Sequence, residues 1–355
     1  MIVDKGLKGI TLADSGEYRV GTPHEPINFF LDTLPRSYQF DLLLGYFSSS
    51  AISTLALGFA TFIYNGGRMR LIINQFLSER DKNTIIEGQV NEANHFYKNE
   101  LILEDIQRLN EELDAYGEHF FRCLAYLIAS DRIQIIAIKP KDKRGISHYK
   151  SGIFGDGIDE IKFKSSCNFT SYGLLENLEE LEVKRSWGFD NEKSSIDEYK
   201  EYFELIFSHK ADFVKYLDIK EVKTIIKESY LDKELNELLV EEENLIKEKQ
   251  NLYGKPTVQK KLKELENKIK VIINTPKFPY PGGPRDYQNE AYEKWKDNGY
   301  KGIFAMATGT GKTITSLNCL LNEYKSQNTY KAIIIVPTIA LVDQWKKECY
   351  KFNFK

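Results

Sequence analysis

Short apolar runs recur along residues 1–215 at Asp41–Phe47, Met69–Phe76, Arg132–Lys139, His148–Phe154, Glu160–Ser165 and Glu179–Val183. Each has the length of a strand, and polar or helix-prone stretches separate them, so the pattern predicts an α/β domain. The longest such stretch, Ser78–Ser130, repeats apolar residues at Ile102, Ile106, Leu109 and Leu113, which share one helical face and read as packing structure. From Ile219 to Val271 the chain turns to Glu and Lys, with Leu and Ile at helical spacing, interrupted by Gly254-Lys255-Pro256. That break predicts a helical hairpin rather than a coiled-coil arm, whose heptads would have to run longer. The Pro/Gly cluster from Pro276 to Pro284 marks a second boundary. The expected organisation is a domain over 1–215, a helical linker over 216–275 and a new domain over 276–355.

A length of 355 residues suits two compact units, and 42% hydrophobic with 28% charged residues is the profile of a folded soluble chain. A net charge of −3 gives no general attraction to nucleic acid, so any phosphate binding must come from local Lys/Arg clusters. Lys139, Lys141, Lys143, Arg144, Lys162, Lys164, Lys184 and Arg185 form either such a track or a solvated charged surface. The cysteines Cys123, Cys167, Cys319 and Cys349 lack metal-ligand or disulfide spacing and read as reduced thiols. No signal peptide opens the chain and no apolar run reaches the ~18 residues of a membrane span, so a cytoplasmic protein without a membrane partner is expected.

Candidate chemistry concentrates in Ser147–Val183, which holds His148, Lys150, Asp156, Ser166, Asn168 and Glu179. On a strand, His148 and Lys150 project from one face while Tyr149 points to the other, giving a nucleophile and a cation a common wall. Ser166 and Asn168 share the same i, i+2 spacing and can donate to phosphate oxygens, and Glu179 can fix the tautomer of the imidazole. The block resembles the HKD motif of the phospholipase D superfamily, in the variant with five residues between Lys and Asp, followed by Ser-x-Asn and a later acid. The segments LLLGYFSSSAI and RLIINQFLSERDK are similar to the first strands of nuclease-like members fused to bacterial helicases. Ser165 departs from the family's usual Gly before the Ser.

The resemblance implies that His148 attacks phosphorus to form a phosphohistidine, that Lys150 and Asn168 stabilise the oxygens, and that the nuclease site needs no metal. Family sites use two such histidines. His24, His95, His119 and His209 have no Lys two positions later, so the resemblance implies a homodimer in which each chain donates His148.

Gly302–Thr315 reads GIFAMATGTGKTIT, an apolar run, a Gly-rich turn and a helix start, the context of a phosphate-binding loop. The amides of Thr308, Gly309, Thr310 and Gly311 can wrap phosphates, Lys312 can reach the β- and γ-phosphates, and Thr313 can hold Mg²⁺ with ATP. Met306 stands where the general pattern has Gly, and the form present is similar to that of superfamily 2 helicases. Upstream, PRDYQNEA resembles the Q motif of those helicases, which implies that Gln288 reads adenine; alone it would pass for a helix surface residue. Downstream, AIIIVPTIALVDQW resembles motif Ia, with Thr338 and Gln344 either touching nucleic-acid phosphates or serving as a cap and a surface group. The chain reaches Lys355 before any DExH box or second lobe, so no ATP turnover is expected of it.

The fold expected is α/β throughout: a phospholipase D-like mixed sheet flanked by helices, a helical linker, and the start of a RecA-like parallel α/β domain. The function expected is a metal-independent DNA endonuclease coupled to an ATP-dependent helicase or translocase. The resemblance relates it to restriction and antiphage-defence enzymes, with single- or double-stranded DNA and further defence proteins as partners. The rival reading is a non-cleaving DNA-binding and dimerisation module of such a motor. Lipid hydrolysis is disfavoured, because no amphipathic membrane-binding helix accompanies the block.

Overall fold

The computed structural model describes residues 6–47, 55–76, 114–141, 150–165, 180–252, 254–280 and 282–354. The chain divides into two compact units, Met1–Asn267 and Lys268–Lys355.

The first unit is built on an eight-stranded open mixed sheet in the order β1-β7-β6-β5-β2-β3-β4-β8. Its strands are β1 (Glu17–Arg19), β2 (Gln39–Phe47), β3 (Arg68–Phe76), β4 (Ile133–Pro140), β5 (Lys150–Gly155), β6 (Glu160–Ser165), β7 (Glu180–Arg185) and β8 (Val214–Leu217). Only β2, β3 and β4 run parallel; the other neighbours are antiparallel. The six expected runs therefore all correspond to strands, with shifts of up to two residues at their ends, and Tyr149 and His148 lie outside the described residues. The short edge strands β1 and β8 carry no long apolar run, which is why the pattern did not announce them.

The central strands bury both faces, as strands covered by helices on both sides must. One face is aromatic. Phe40, Phe154 and Phe163 pack there against Phe29 and Phe30 of α1 (Pro26–Thr33), with Phe40 and Phe154 stacked at 4.2 Å. Helices α2 (Phe59–Tyr64) and α3 (Ala115–Ala129) continue that layer through the stacked rings of Phe59 and Phe120. Gly152 is needed at the centre, since a Cβ there would meet the Phe163 ring at 2.8 Å and the Asp41 carbonyl oxygen at 2.6 Å. On the opposite face, Leu43, Ile72 and Ile138 pack against Phe203 and Ile206 of α4 (Asp190–Phe207). Arg70 fastens that helix: its guanidinium donates to Asp41 at 2.8 Å and to Glu204 at 2.9 Å and stands 5.0 Å from the Phe203 and Phe207 ring centres. The expected helix through Ile102, Ile106, Leu109 and Leu113 lies outside the described residues; α3 is the part of Ser78–Ser130 that is described as helical.

Of the segment expected as a linker, residues 216–267 fall in the first unit, and its last helix runs across the boundary between the units. Helix α5 (Lys220–Tyr230) packs on α3, where Phe121 and Tyr230 stack at 5.1 Å. Helix α6 (Leu235–Leu252) sends Glu242 inward, where its carboxylate accepts from Ala60 N at 2.8 Å and Thr61 Oγ1 at 2.9 Å at the start of α2. Helix α7 (Pro256–Asn274) ties to α1 through Lys261–Asp32 at 2.9 Å, and Lys255, just ahead of it, pairs with Glu25 at 2.8 Å. The Glu/Lys composition that read as a helical hairpin thus includes partners for the buried acids Glu25 and Asp32. Such pairing is invisible in helical periodicity.

In the second unit, helices α8 (Asp286–Asp297), α9 (Lys312–Gln327) and α10 (Ile339–Lys351) are described. Leu317 and Leu321 of α9 pack with Phe352 and Phe354, and Phe278, Trp345 and Tyr330 close around them. Asn353 adopts φ 61°, and its buried amide donates to the carbonyls of Ile272 at 2.9 Å and Thr275 at 3.0 Å. The apolar runs that open Gly302–Thr315 and Ala332–Trp345 have no ladder partner among the described residues; Ile303, Ile333 and Ile335 are 90% or more exposed. Apolar composition makes these segments strand-like, but a strand requires a neighbour for its N–H and C=O groups.

Candidate functional site

The ends of four strands bear on the HKD-like block. Lys150 opens β5 and lies opposite Leu44 of β2, while Ser151 faces Lys164 of β6 and Ser165 faces Leu181 of β7. Lys150, Ser165 and Glu180 therefore stand on successive strands, each ~4.8 Å from the next, at the edge where the parallel strands β2, β3 and β4 end. Ser165 Oγ donates to the Glu180 carbonyl at 3.3 Å, closing that corner. His148, Ser166, Asn168 and Glu179 lie outside the described residues. In sequence each is within three positions of one of these strand ends.

Asp156 is not brought to that edge. It follows the far end of β5, about 20 Å from Lys150 at ~3.3 Å per strand residue. Its carboxylate accepts from the backbone of Leu7 at 2.7 Å, Ile158 at 2.9 Å and Asp159 at 2.7 Å, so it closes the β5–β6 turn and holds the segment before β1. Burial alone would raise its pKa; the three backbone N–H groups outweigh burial and hold it below the usual carboxylate value.

The basic residues do not form one track. Lys162 donates to Ser195 at 2.8 and 3.0 Å, Lys184 pairs with Glu182 at 3.2 Å, and Arg185 stands 3.7 Å from Glu192. Lys139 faces Lys215 across β4 and β8, four strand spacings from β6, or about 19 Å. Lys143 and Arg144 lie outside the described residues.

The Gly-rich loop is described throughout. It runs from the extended segment at Met306 into α9, whose N-cap is Gly311. Gly309 and Gly311 have φ of 82° and 87°, a backbone region that a side chain disfavours, so both glycines are conformational requirements. Lys312 Nζ donates to the carbonyls of Met306 and Ala307 at 3.0 Å each, folding back over the loop. Thr310 Oγ1 donates to Ala307 O at 2.7 Å. Thr308 is exposed, and Thr313 is half-buried in the first turn of α9, where its hydroxyl can serve Mg²⁺.

Helix α8 is fixed to this loop. Gln288 is buried, its Oε1 accepts from Arg285 N at 2.9 Å, and its amide nitrogen lies 3.4 Å from where a Cβ on Gly311 would stand. It is therefore no surface residue, and its carbonyl oxygen already caps its own helix. Tyr287, which sequence reasoning passed over, donates its phenol to the Thr310 carbonyl at 2.8 Å. Further along, Tyr292 donates to Glu323 at 2.9 Å and Asn318 to Asn289 at 3.4 Å. Thr338 caps α10 by accepting from Leu341 N at 3.4 Å, and Gln344 is exposed on that helix.

Two further features went unnoticed in the sequence. His119 is fully buried, with Nδ1 2.9 Å from Glu241 and Nε2 3.5 Å from Glu242 and 3.6 Å from the Cys123 sulfur. Both ring nitrogens face carboxylates, which favours the imidazolium. Burial alone would lower the His119 pKa, yet Cys123, Glu241 and Glu242 raise it well above its ordinary value. An apolar cavity of about 310 Å³ in the second unit is lined by Tyr330, Ile334, Val336, Trp345 and Phe354 and holds none of the candidate groups. Among the described residues no cluster of His, Cys, Asp and Glu could hold a metal, and no helix is long and apolar enough to cross a membrane.

Residues 282–355 match the family described as "Type III restriction enzyme, res subunit". The chain is 37% identical over 93 residues to the DNA 3'-5' translocase XPB2 of Sulfurisphaera tokodaii, a match covering 25% of this chain and 20% of that protein. It thus spans about a fifth of the length of that curated relative. NucT from Helicobacter pylori aligns with 54% of this chain and 94% of its own at 12% identity, with a TM-score of 0.31, too low for a shared fold to follow. Residues 282–355 are a helicase-type segment.

Proposed function

We propose that this chain is the nucleotide-binding part of a superfamily 2-type DNA motor together with an appended α/β module that handles DNA. The observation that carries this reading is the loop itself: two positive-φ glycines, a lysine at the first position of α9, and a Q-motif-like helix bonded to the loop. Backbone N–H groups at a helix start favour phosphate, and Lys312 leaves the Met306 and Ala307 carbonyls to meet it. Thr313 holds the Mg²⁺ that accompanies ATP. The test is equilibrium binding of a fluorescent ATP analogue with Mg²⁺; the parent chain binds it, and Lys312→Ala weakens binding at least tenfold. Equal affinity in both would end the reading.

A second reading concerns the first unit as a phosphodiesterase. It is supported by the gathering of the strand ends at Lys150, Ser165 and Glu180 beside the sequence block that holds His148, Ser166, Asn168 and Glu179. In this reading His148 attacks phosphorus, Lys150 and Asn168 hold the charged oxygens, and a second chain's His148 protonates the departing oxygen in a homodimer. Incubation with plasmid and single-stranded DNA in EDTA, beside His148→Ala, decides between cleavage and the non-cleaving DNA-binding module. Nicking by the parent alone supports the enzyme; inactivity of both leaves the binding module.

A further inference from the structure

The α8–loop contact has a chemical consequence for the phosphate site. A trans peptide sets the carbonyl of one residue and the N–H of the next on opposite sides, and the described residues contain no cis bond. The Tyr287 phenol holds the Thr310 carbonyl toward α8 at 2.8 Å, so the Gly311 N–H is turned away from α8. Gly311 is also the N-cap of α9, where the first-turn N–H groups lack helical acceptors. The neighbouring Gln288 amide fills the space a side chain on Gly311 would need.

We propose that Tyr287 is a positioning residue for phosphate binding: its hydroxyl locks the Thr310–Gly311 peptide so that the Gly311 N–H faces the β-phosphate of a nucleoside diphosphate or triphosphate. The inference rests on the reading of the loop as a nucleotide site. Its selectivity follows from geometry. The lock serves the phosphate that the loop amides cradle, so it discriminates ADP from AMP without touching the base. Tyr287→Phe keeps the ring and removes only the donor, after which the peptide can rotate and the Thr310 carbonyl turns to water.

The experiment measures Mg²⁺–ADP affinity by calorimetry and AMP affinity by competition on the full chain, for the parent, Tyr287→Phe and Lys312→Ala. Thermal unfolding and circular dichroism are recorded for each. Loss of one hydrogen bond predicts ADP binding weakened about three- to tenfold in Tyr287→Phe, with AMP affinity and melting temperature unchanged. ADP affinity equal to the parent in Tyr287→Phe, while Lys312→Ala loses it, overturns this inference and leaves the nucleotide site standing. Equal weakening of ADP and AMP also overturns it, since Tyr287 would then act on the nucleoside. If the parent fails to bind ADP, or Lys312→Ala binds it undiminished, the nucleotide reading falls and takes the inference with it.

Discussion

In the first unit the apolar strands lie beside hydrogen-bonded neighbours and their largest side chains are sealed between helices. In residues 268–355, by contrast, two extended apolar segments have no ladder partner among the described residues and expose Ile303, Ile333 and Ile335. The two regions also assemble their candidate sites differently. At the end of the sheet, the strand ends at Lys150, Ser165 and Glu180 become neighbours only because strands distant in sequence pair in register. The Gly-rich loop takes its shape from glycine backbone angles and from a helix that ends five residues before the loop's leading apolar run. A site built from local contacts tolerates loss of distant packing; a site built on strand register does not.

The largest effect that bears on this contrast is loss of a core ring. Phe154→Ala, at the centre of the aromatic layer, should destabilise the first unit by about 3–5 kcal/mol in chemical denaturation and leave Mg²⁺–ADP affinity unchanged. A parallel fall in nucleotide affinity would break the contrast. Next comes Glu242→Ala, which strips partners from Ala60 N, Thr61 and the buried His119 together and should cost about 3 kcal/mol. Glu242→Gln, which keeps an acceptor for the start of α2, should cost less.

The same network gives the first unit a pH dependence. His119 has a folded pKa well above its ordinary 6.5, so its contribution is full below 6.5 and is lost as pH rises through the folded value. For Glu241, burial alone would raise the pKa, but the bonds from His119 and Lys233 and the nearby charges of His119 and Arg122 pull it down to about 2. Its contribution is present above 4.5 and is lost as pH falls toward 2. Stability of the first unit should therefore peak between these limits, and His119→Gln should flatten the alkaline side. An alkaline limb of equal slope in that variant would assign the titration elsewhere.

Smaller effects sharpen the contrast within each region. Asn353→Ala should cost about 1–2 kcal/mol, read as faster amide exchange in α9 and α10, because two carbonyls lose their donor and φ 61° is strained for alanine. Asp156→Asn should cost about 1 kcal/mol and leave any DNA cleavage intact, as expected of a turn cap ~20 Å from Lys150. Abolished cleavage with unchanged stability would return Asp156 to the reaction.

Sequence pattern located the interior strands in two ways: β2 and β3 carry consecutive buried apolar residues, Leu42–Leu44 and Leu71–Ile73, whereas β6 and β7 alternate buried apolar residues with charged ones. It missed β1 and β8, since a three- or four-residue edge strand with Glu17, Arg19 and Lys215 carries no apolar run. The loop from Thr308 to Thr313 was legible because its chemistry is contiguous. Tyr287 and the His119–Glu241–Glu242 network were not, since their partners lie 23 to 123 positions away or look like ordinary charges on a helix. The attachment of these helices to the first unit was hidden for the same reason: nothing in helical spacing names the partners that Lys255, Lys261 and Glu242 find in Glu25, Asp32 and Thr61.

By itself the chain's order of residues determined which segments extend, which coil, and where a phosphate loop can form, because those outcomes follow from backbone preference and local periodicity. Tertiary structure alone decided that α5 and α6 belong to the sheet-bearing unit, that Asp156 caps a turn, and that Tyr287 reaches Thr310. Each of these depends on a partner that local sequence does not name, and only the packing of apolar faces brings such partners within a hydrogen bond of one another.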